Sequence, residues 1–333
     1  MENQNWHAGS LLEMSGFYWK TCTLHAAVKL DVFSLIGDQR LTSGAVADAL
    51  NADRDGIERL LNALSAMQLL TKNADGYVNT AASRQYLDQS SPDYLGWMIM
   101  HHHQLVPSWN QLDKAAVSGL PVRASASDSS EEWRTCFLKG MHTNARLQAP
   151  AVVNAIDLTG KGKLLDLGGG PGTYAIHFCQ ANPGLESLVF DLPDSRPVAE
   201  ANIQAAGLAD RIGFQAGDYH KDGVDGRFDV AWLSHILHAE SPAACQKIIE
   251  QAVSALRPGG TILIHEFILD DTLDQPEFPA LFSLNMLVGT QAGRAYCESA
   301  LKELLAAAGV AYIKRLDFRG PTDSAIISGH VAA

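Results

Sequence analysis

From residue 163 onward, short apolar runs alternate with longer segments whose apolar residues recur every three or four positions. The runs 163–167, 187–191, 211–215, 228–233 and 261–267 read as parallel strands, because strands covered on both faces are apolar throughout. The segments between them read as helices. Such alternation predicts a doubly wound α/β sheet, which takes its ligands beyond the carboxyl ends of the strands. Before residue 118 the period is mostly helical. Residues 10–36 and 93–117 predict helices. Thr42 predicts the cap of a short helix ending at Leu50, and Asp53 the cap of a second over 56–70, with Ile57, Leu60, Leu61 and Leu64 on one face. Residues 69–72 and 77–80, joined by Asn73-Ala74-Asp75-Gly76, predict a hairpin. Helix, helix and hairpin is the order of a winged helix-turn-helix. The Ser- and Asp-rich stretch 118–131 predicts a loop between lobes. The expected division is 1–115, an α-helical winged-helix domain; 116–145, a linker and connecting helix; and 146–333, the α/β domain.

The first α/β strand runs into Leu165-Asp166-Leu167-Gly168-Gly169-Gly170-Pro171-Gly172. Glycines leave a ligand free to lie on the main chain. The helix expected at 173–180 would present its free N–H groups and positive dipole end to that ligand. The spacing Gly168-x-Gly170-x-Gly172 departs from a dinucleotide fingerprint, whose last glycine would fall on Thr173, and no Gly-Lys-Ser/Thr follows as in a phosphate loop. Asp191 closes the second strand, where a carboxylate can take a ribose diol. Asp218 closes the third. Acids at three successive strand ends suit a nucleoside carrying a cation better than a polyphosphate.

These residues resemble the class I S-adenosylmethionine-dependent methyltransferases, specifically the O-methyltransferases similar to plant caffeate O-methyltransferase and animal acetylserotonin O-methyltransferase. The resemblance rests on the glycine motif, on Phe190-Asp191-Leu192-Pro193, on Leu256-Arg257-Pro258-Gly259-Gly260 and on Leu284-Asn285-Met286-Leu287-Val288. It covers nearly the whole chain. It implies a Rossmann-like methyltransferase domain, S-adenosyl-L-methionine as cofactor with S-adenosyl-L-homocysteine as product, no metal, and a small aromatic acceptor. The cofactor is then expected on Gly168, Gly170 and Gly172, with Asp166, Leu192 and Ser234 beside it. Its ribose is expected on Asp191 and its adenine near Asp218 and Tyr219. The resemblance also places Phe137 and Met141 over cofactor and acceptor, and offers Arg146 to the cofactor's carboxylate.

The fourth strand leads into Ser234-His235-Ile236-Leu237-His238, and Ser241 caps the next helix with Pro242 at its first position. His238 therefore falls on a loop at the ligand edge. A phenol ionises near pH 10, so a histidine base beside it raises the reactive fraction at neutral pH. The resemblance gives His238 as that base, and Glu266 and Glu298 as the acids flanking it. A carboxylate on one ring nitrogen would fix the tautomer. His235 reads as a structural or pocket-wall residue. The segment 276–288, with Phe278, Leu281, Phe282, Met286 and Leu287, predicts an apolar cover for a flat acceptor. Asn285, His142 and His102 complete the acceptor candidates. Adjacent histidines on a helix point about 100° apart, so His101-His102-His103 are not expected to chelate one ion. Ala239 and Glu240 stand where plant relatives carry Asp and Trp, which weighs against a catechol acceptor. C-methylation, or cofactor binding without methylation, is the alternative on this fold. A winged-helix transcriptional regulator is the alternative from another class.

Composition narrows these options. The 333 residues are 47% apolar and 19% charged, with a net charge of −12. Residues 1–100 carry 11 acidic and 7 basic side chains. The helix that would read DNA holds Asp53, Asp55 and Glu58 against Arg54 and Arg59, a face that phosphates repel. Dimerisation is therefore expected of this domain, and no nucleic acid. No apolar run reaches membrane-spanning length and the start lacks a signal-peptide layout. The scattered cysteines 22, 136, 179, 245 and 297 predict reduced thiols in a cytoplasmic protein. Gly16-Phe17-Tyr18-Trp19 predicts a surface covered by another subunit, and the resemblance implies an intertwined homodimer.

Overall fold

The computed structural model describes residues 6–123 and 131–332, so part of the expected loop, 124–130, lies outside the described residues. The chain forms two compact units, one ending at Gln104 and one beginning at Leu105. The first contains α1 (Ala8–Ser15), α2 (Tyr18–Lys29), α3 (Val32–Ile36), α4 (Ser43–Leu50), α5 (Arg54–Ala66), β1 (Leu70–Asn73), β2 (Gly76–Asn79), α6 (Ala81–Tyr86) and the first part of α7 (Gly96–Trp109).

The single helix expected over 10–36 is broken twice, at Gly16-Phe17 and at Asp31, which adopts a left-handed φ of 54°. Both expected caps are present. Thr42 Oγ1 accepts from Ala45 N at 3.1 Å, and Asp53 Oδ1 from Gly56 N at 2.7 Å. α5 ends at Ala66, short of residue 70, and Gln68 turns the chain with φ of 60°. Its buried Ile57, Leu61 and Leu64 pack with Phe33, Ile36 and Val46. β1 and β2 pair antiparallel from Leu70↔Asn79 to Asn73↔Gly76, giving the expected hairpin.

The second unit contains α8 (Leu112–Ser118), α9 (Glu131–Asn154), β3 (Lys163–Leu167), α10 (Thr173–Ala181), β4 (Glu186–Asp191), α11 (Arg196–Ala205), β5 (Ile212–Ala216), β6 (Phe228–Ser234), α12 (Pro242–Ala255), β7 (Leu256–Phe267), α13 (Glu277–Gly289), α14 (Glu298–Ala307), β8 (Val310–Arg315) and β9 (Ser324–Val331). These units divide at 104/105, whereas the expected division falls at 115 and 145. Residues from 105 cluster with the sheet, and α9 runs unbroken through position 145. The helix expected over 93–117 is two helices, α7 and α8.

The sheet order is β5-β4-β3-β6-β7-β9-β8. β3 to β7 pair parallel, whereas β9 runs antiparallel to both β7 and β8. This antiparallel edge is an addition to the expected parallel sheet. One face is covered by α12 and α14 through Ile248, Ile249, Leu301 and Leu305. The other packs Phe178, Ile203 and Trp232. The chain adds β4 and β5 on one side of β3, then returns to place β6 on the other. A crevice opens where the order reverses, beyond the carboxyl ends of β3 and β6.

Candidate active site

The glycine loop spans that crevice. Gly168, Gly170 and Gly172 all have positive φ, 69°, 49° and 72°. At Gly168 a Cβ would stand 2.6 Å from Ile236 Cγ2, so the loop after β3 lies directly on the loop after β6. At Gly170 a Cβ would meet nothing within 4 Å, which leaves the main chain open above the loop. Asp166 is buried under this turn, in contact with Gly169, and its Oδ2 accepts from Ala175 N at 3.3 Å. Burial pushes its carboxyl up to about 7, the bond from Ala175 opposes this, and the charge of Asp191 adds to it. Asp191 holds the rim: Oδ2 accepts from Gly170 N at 2.8 Å, and Oδ1 from Leu192 N and Ser195 Oγ at 2.8 and 2.7 Å. Leu192 beside it is a large apolar side chain left exposed.

The remaining cofactor candidates are spread around this crevice. Ser234 ends β6 and lies 3.0 Å from His265 Nδ1. Tyr219 gives its hydroxyl to Glu240 Oε1 at 3.3 Å. Asp218 is turned to Lys221 Nζ at 2.7 Å, and that bond holds its carboxyl below the usual range. On α9, Phe137 stacks on Trp133 with centroids 5.5 Å apart, and Met141 is half-buried. Arg146 lies near enough to His142 and His177 for its charge to lower both, adding to the larger effect of their burial.

The base candidate is fixed by a strand register. Ser234 pairs with His265, so Glu266, the next residue of β7, sits beside the turn that leaves β6. That turn begins with His235 at a left-handed φ of 56° and closes as a short 3-10 segment, Leu237–Ala239. Glu266 Oε1 accepts from Leu237 N at 2.9 Å and His238 N at 3.3 Å, while Oε2 takes His238 Nδ1 at 2.7 Å. One carboxylate thus holds both the turn and the ring it carries. Burial pushes Glu266 upward, but the charges of His238 and His235 and the bond from His238 outweigh it, leaving the carboxyl well below its usual range. In its neutral form the His238 ring places its proton on Nδ1, toward this acceptor, and presents the Nε2 lone pair.

An aromatic wall surrounds the ring. Phe282 of α13 meets His238 edge-on at 4.8 Å, and Phe267 lies 4.6 Å from Phe282 and 5.0 Å from Phe278. Met286 is buried on the same helix, and Asn285 accepts from Trp109 Nε1 at 3.1 Å. Tyr296 closes the loop behind the base, donating its hydroxyl to Glu240 O at 2.6 Å.

Two candidates have other partners in the structure. Glu298 begins α14 and is engaged by Lys302 Nζ at 2.6 Å and Arg315 Nη1 at 3.1 Å, not by His238. These cations satisfy its carboxylate locally, as first-turn acids often are. His142 Nδ1 lies 2.8 Å from Thr173 Oγ1 and 3.3 Å from Asn202 Nδ2, and Asn202 also donates to Pro171 O. His142 thus contacts the first residue of α10 and the α11 asparagine that braces the glycine loop. His102 belongs to the first unit. Its neighbour His103 meets His25 edge-on at 5.4 Å. Sequence reasoning missed Phe267 and Tyr296, whose only signal was an aromatic residue at the end of a strand or just before a helix.

The fold defines an α/β protein whose crevice lies between an open glycine turn and a carboxylate-held histidine. The comparisons with known proteins agree. Residues 110–311 match the O-methyltransferase domain and residues 12–89 the O-methyltransferase dimerisation domain. A 3-hydroxy-5-methyl-1-naphthoate 3-O-methyltransferase of Streptomyces sahachiroi is 31% identical over 325 residues, 96% of this chain and 94% of that one. The crystal structure of human N-acetylserotonin methyltransferase in complex with SAM superposes with a TM-score of 0.87 at 27% identity, covering 100% of both chains. That of an O-methyltransferase family protein from Burkholderia thailandensis gives 0.89 at 26%, covering 98% of this chain and 99% of the other. The chain belongs to the O-methyltransferase family and is an S-adenosylmethionine-dependent methyltransferase. Among the described residues, no helix is long and apolar enough to cross a membrane.

Proposed function

We propose that the protein is a homodimeric enzyme that methylates a hydroxyl of a small aromatic acceptor, with His238 as general base and Glu266 as its positioning residue. The observation that carries this reading is the 2.7 Å contact between Glu266 Oε2 and His238 Nδ1 at the mouth of the crevice. S-adenosylmethionine fits the residues present. The main chain at Gly170 is open, and burial, together with the charge of Asp191, raises Asp166's cost of ionisation, which a nearby cation relieves. Gly168, Gly170, Gly172 and Asp191 would hold it, with Leu192 covering the base and Arg146 available to its carboxylate. Bound there, the cofactor supplies an electrophilic methyl group on a positively charged sulfur.

The residues of this chain supply the rest. Phe267, Phe278 and Phe282 offer an apolar wall that seats an aromatic ring beside His238 and excludes water. His238 Nε2 accepts the hydroxyl proton, a task worth roughly 10²–10⁴ in rate for a well-placed base. Glu266 stabilises the imidazolium that results, at no cost of reorientation. Holding the oxygen in line supplies much of the remaining acceleration. An aromatic acceptor is also in keeping with the naphthoate named for the Streptomyces relative.

The test is a library of aromatic hydroxyl compounds screened for a mass gain of one methyl, repeated with His238→Ala. The expected result is loss of transfer in the variant with cofactor affinity retained by calorimetry. Equal turnover in the variant would remove His238 from the reaction.

A further inference from the structure

His235 has no task in this reading, yet the fold spends backbone strain on it. Its φ of 56° is one that histidine adopts uncommonly. Both ring nitrogens are shut away from water and neither has a hydrogen-bond partner. An imidazole buried in that state loses solvation at two polar atoms and regains no hydrogen bond, only the attraction of the Glu266 carboxylate. Phe267 and His265 pack against the ring, at 4.3 and 4.5 Å between centroids, and hold it in place.

Its Nδ1 stands 3.6 Å from Glu266 Oε2, too far for a hydrogen bond. That oxygen is the one engaged by His238 Nδ1 at 2.7 Å. Ligand atoms of His235, His238 and Glu266 all lie within 4.8 Å of one another. Two imidazoles and a carboxylate are the donor set of zinc sites that keep an open position. Bonds of about 2.0–2.2 Å in a tetrahedral site put ligand atoms roughly 3.3–3.6 Å apart, so small side-chain rotations suffice.

We propose that His235, His238 and Glu266 form a binding site for a divalent transition-metal ion of the zinc class, and that the ion switches the base off. A neutral imidazole carries one proton. Without the ion that proton sits on His238 Nδ1 and points to Glu266, leaving Nε2 free to accept. An ion bound at Nδ1 takes that lone pair, and the displaced proton moves to Nε2. A protonated Nε2 cannot receive the acceptor's hydroxyl proton. The ion thereby exchanges one tautomer for the other, with no change in the charge of the ring. The binding half of this proposal stands on the geometry. The inhibitory half rests on His238 being the base.

The experiment titrates the metal-free full-length protein with Co²⁺, read by visible absorption, and measures methyl transfer with and without Zn²⁺ and a chelator. One Co²⁺ per chain is expected, with bands of four- or five-coordinate nitrogen and oxygen ligation that Zn²⁺ displaces. Zn²⁺ is expected to abolish transfer, the chelator to restore it, and cofactor affinity to stay unchanged. His235→Ala should weaken Co²⁺ binding at least tenfold and relieve the Zn²⁺ inhibition. His235→Asn serves the same purpose if alanine unfolds the turn, because asparagine tolerates a left-handed backbone. No Co²⁺ bands, equal binding in both variants, or sulfur-to-cobalt charge transfer from a cysteine site would overturn the site. Binding that depends on His235 but leaves transfer untouched would overturn the switch and count against His238 as base.

Discussion

A carboxylate with both oxygens engaged is a poor nucleophile and a good scaffold, and Glu266 serves in that second way. Replacing it by glutamine keeps an acceptor for Leu237 N but removes the charge that fixes the His238 tautomer. Glu266→Gln is expected to slow transfer by about 10²–10⁴ with cofactor affinity little changed, as read by single-turnover kinetics and calorimetry. Asp166 gives a second prediction of a different kind. Its carboxyl is raised by burial to about 7 from an ordinary 3.8. A raised value means that the folded chain binds more protons than the unfolded one between those limits, so the contribution is fully present below 3.8 and is lost as pH rises through 7. Asp166→Asn mimics the protonated form. Its melting temperature in the absence of cofactor should gain on the wild type steadily from about pH 4 to pH 8. A difference that stays flat across that range would contradict the assignment.

At the scale of elements, the glycine loop and α13 act as two walls of one crevice. Gly168 combines a positive φ with a close approach to Ile236, so Gly168→Ala meets both strain and a clash. It is expected to cost about 1–3 kcal/mol of stability and to weaken cofactor binding, measured by thermal unfolding and calorimetry. α13 contributes the edge-on Phe282 contact to His238. Phe282→Ala should raise the acceptor KM several-fold, in line with about 1 kcal/mol for an aromatic pair, and leave cofactor affinity alone. Much of this was legible in the sequence. Caps at Thr42, Asp53 and Ser241, and the strand ends at Asp166 and Asp191, follow from local hydrogen bonding and apolar period. The split of residues 10–36 and the antiparallel β8 and β9 were not, because the first depends on local backbone turns at Gly16-Phe17 and at the left-handed Asp31 and the second on pairing across some 60 residues.

At the scale of the molecule, α1 and α2 leave Leu12, Phe17, Tyr18 and Trp19 exposed, the last at 69%. A surface of that kind is usually covered by a partner, and residues 12–89 match a dimerisation domain. The wild type is expected to sediment as a dimer, and Tyr18→Asp with Trp19→Asp to shift it toward monomer at micromolar concentration. A wild-type monomer would refute the homodimer.

The chain's order of apolar and polar residues settled what folds locally: the alternating strands and helices, the bare loop, the acids at its rim and the loop that carries His238. Which carboxylate meets that histidine was decided elsewhere. Along the chain both Glu266 and Glu298 are candidates. Only the register of β6 against β7 brings one of them to the ring, while Lys302 and Arg315 hold the other at the head of α14. Local hydrogen bonds and periodicity are written in neighbouring residues. A contact across 28 positions is set by strand pairing and by the competing charges that the fold places nearby.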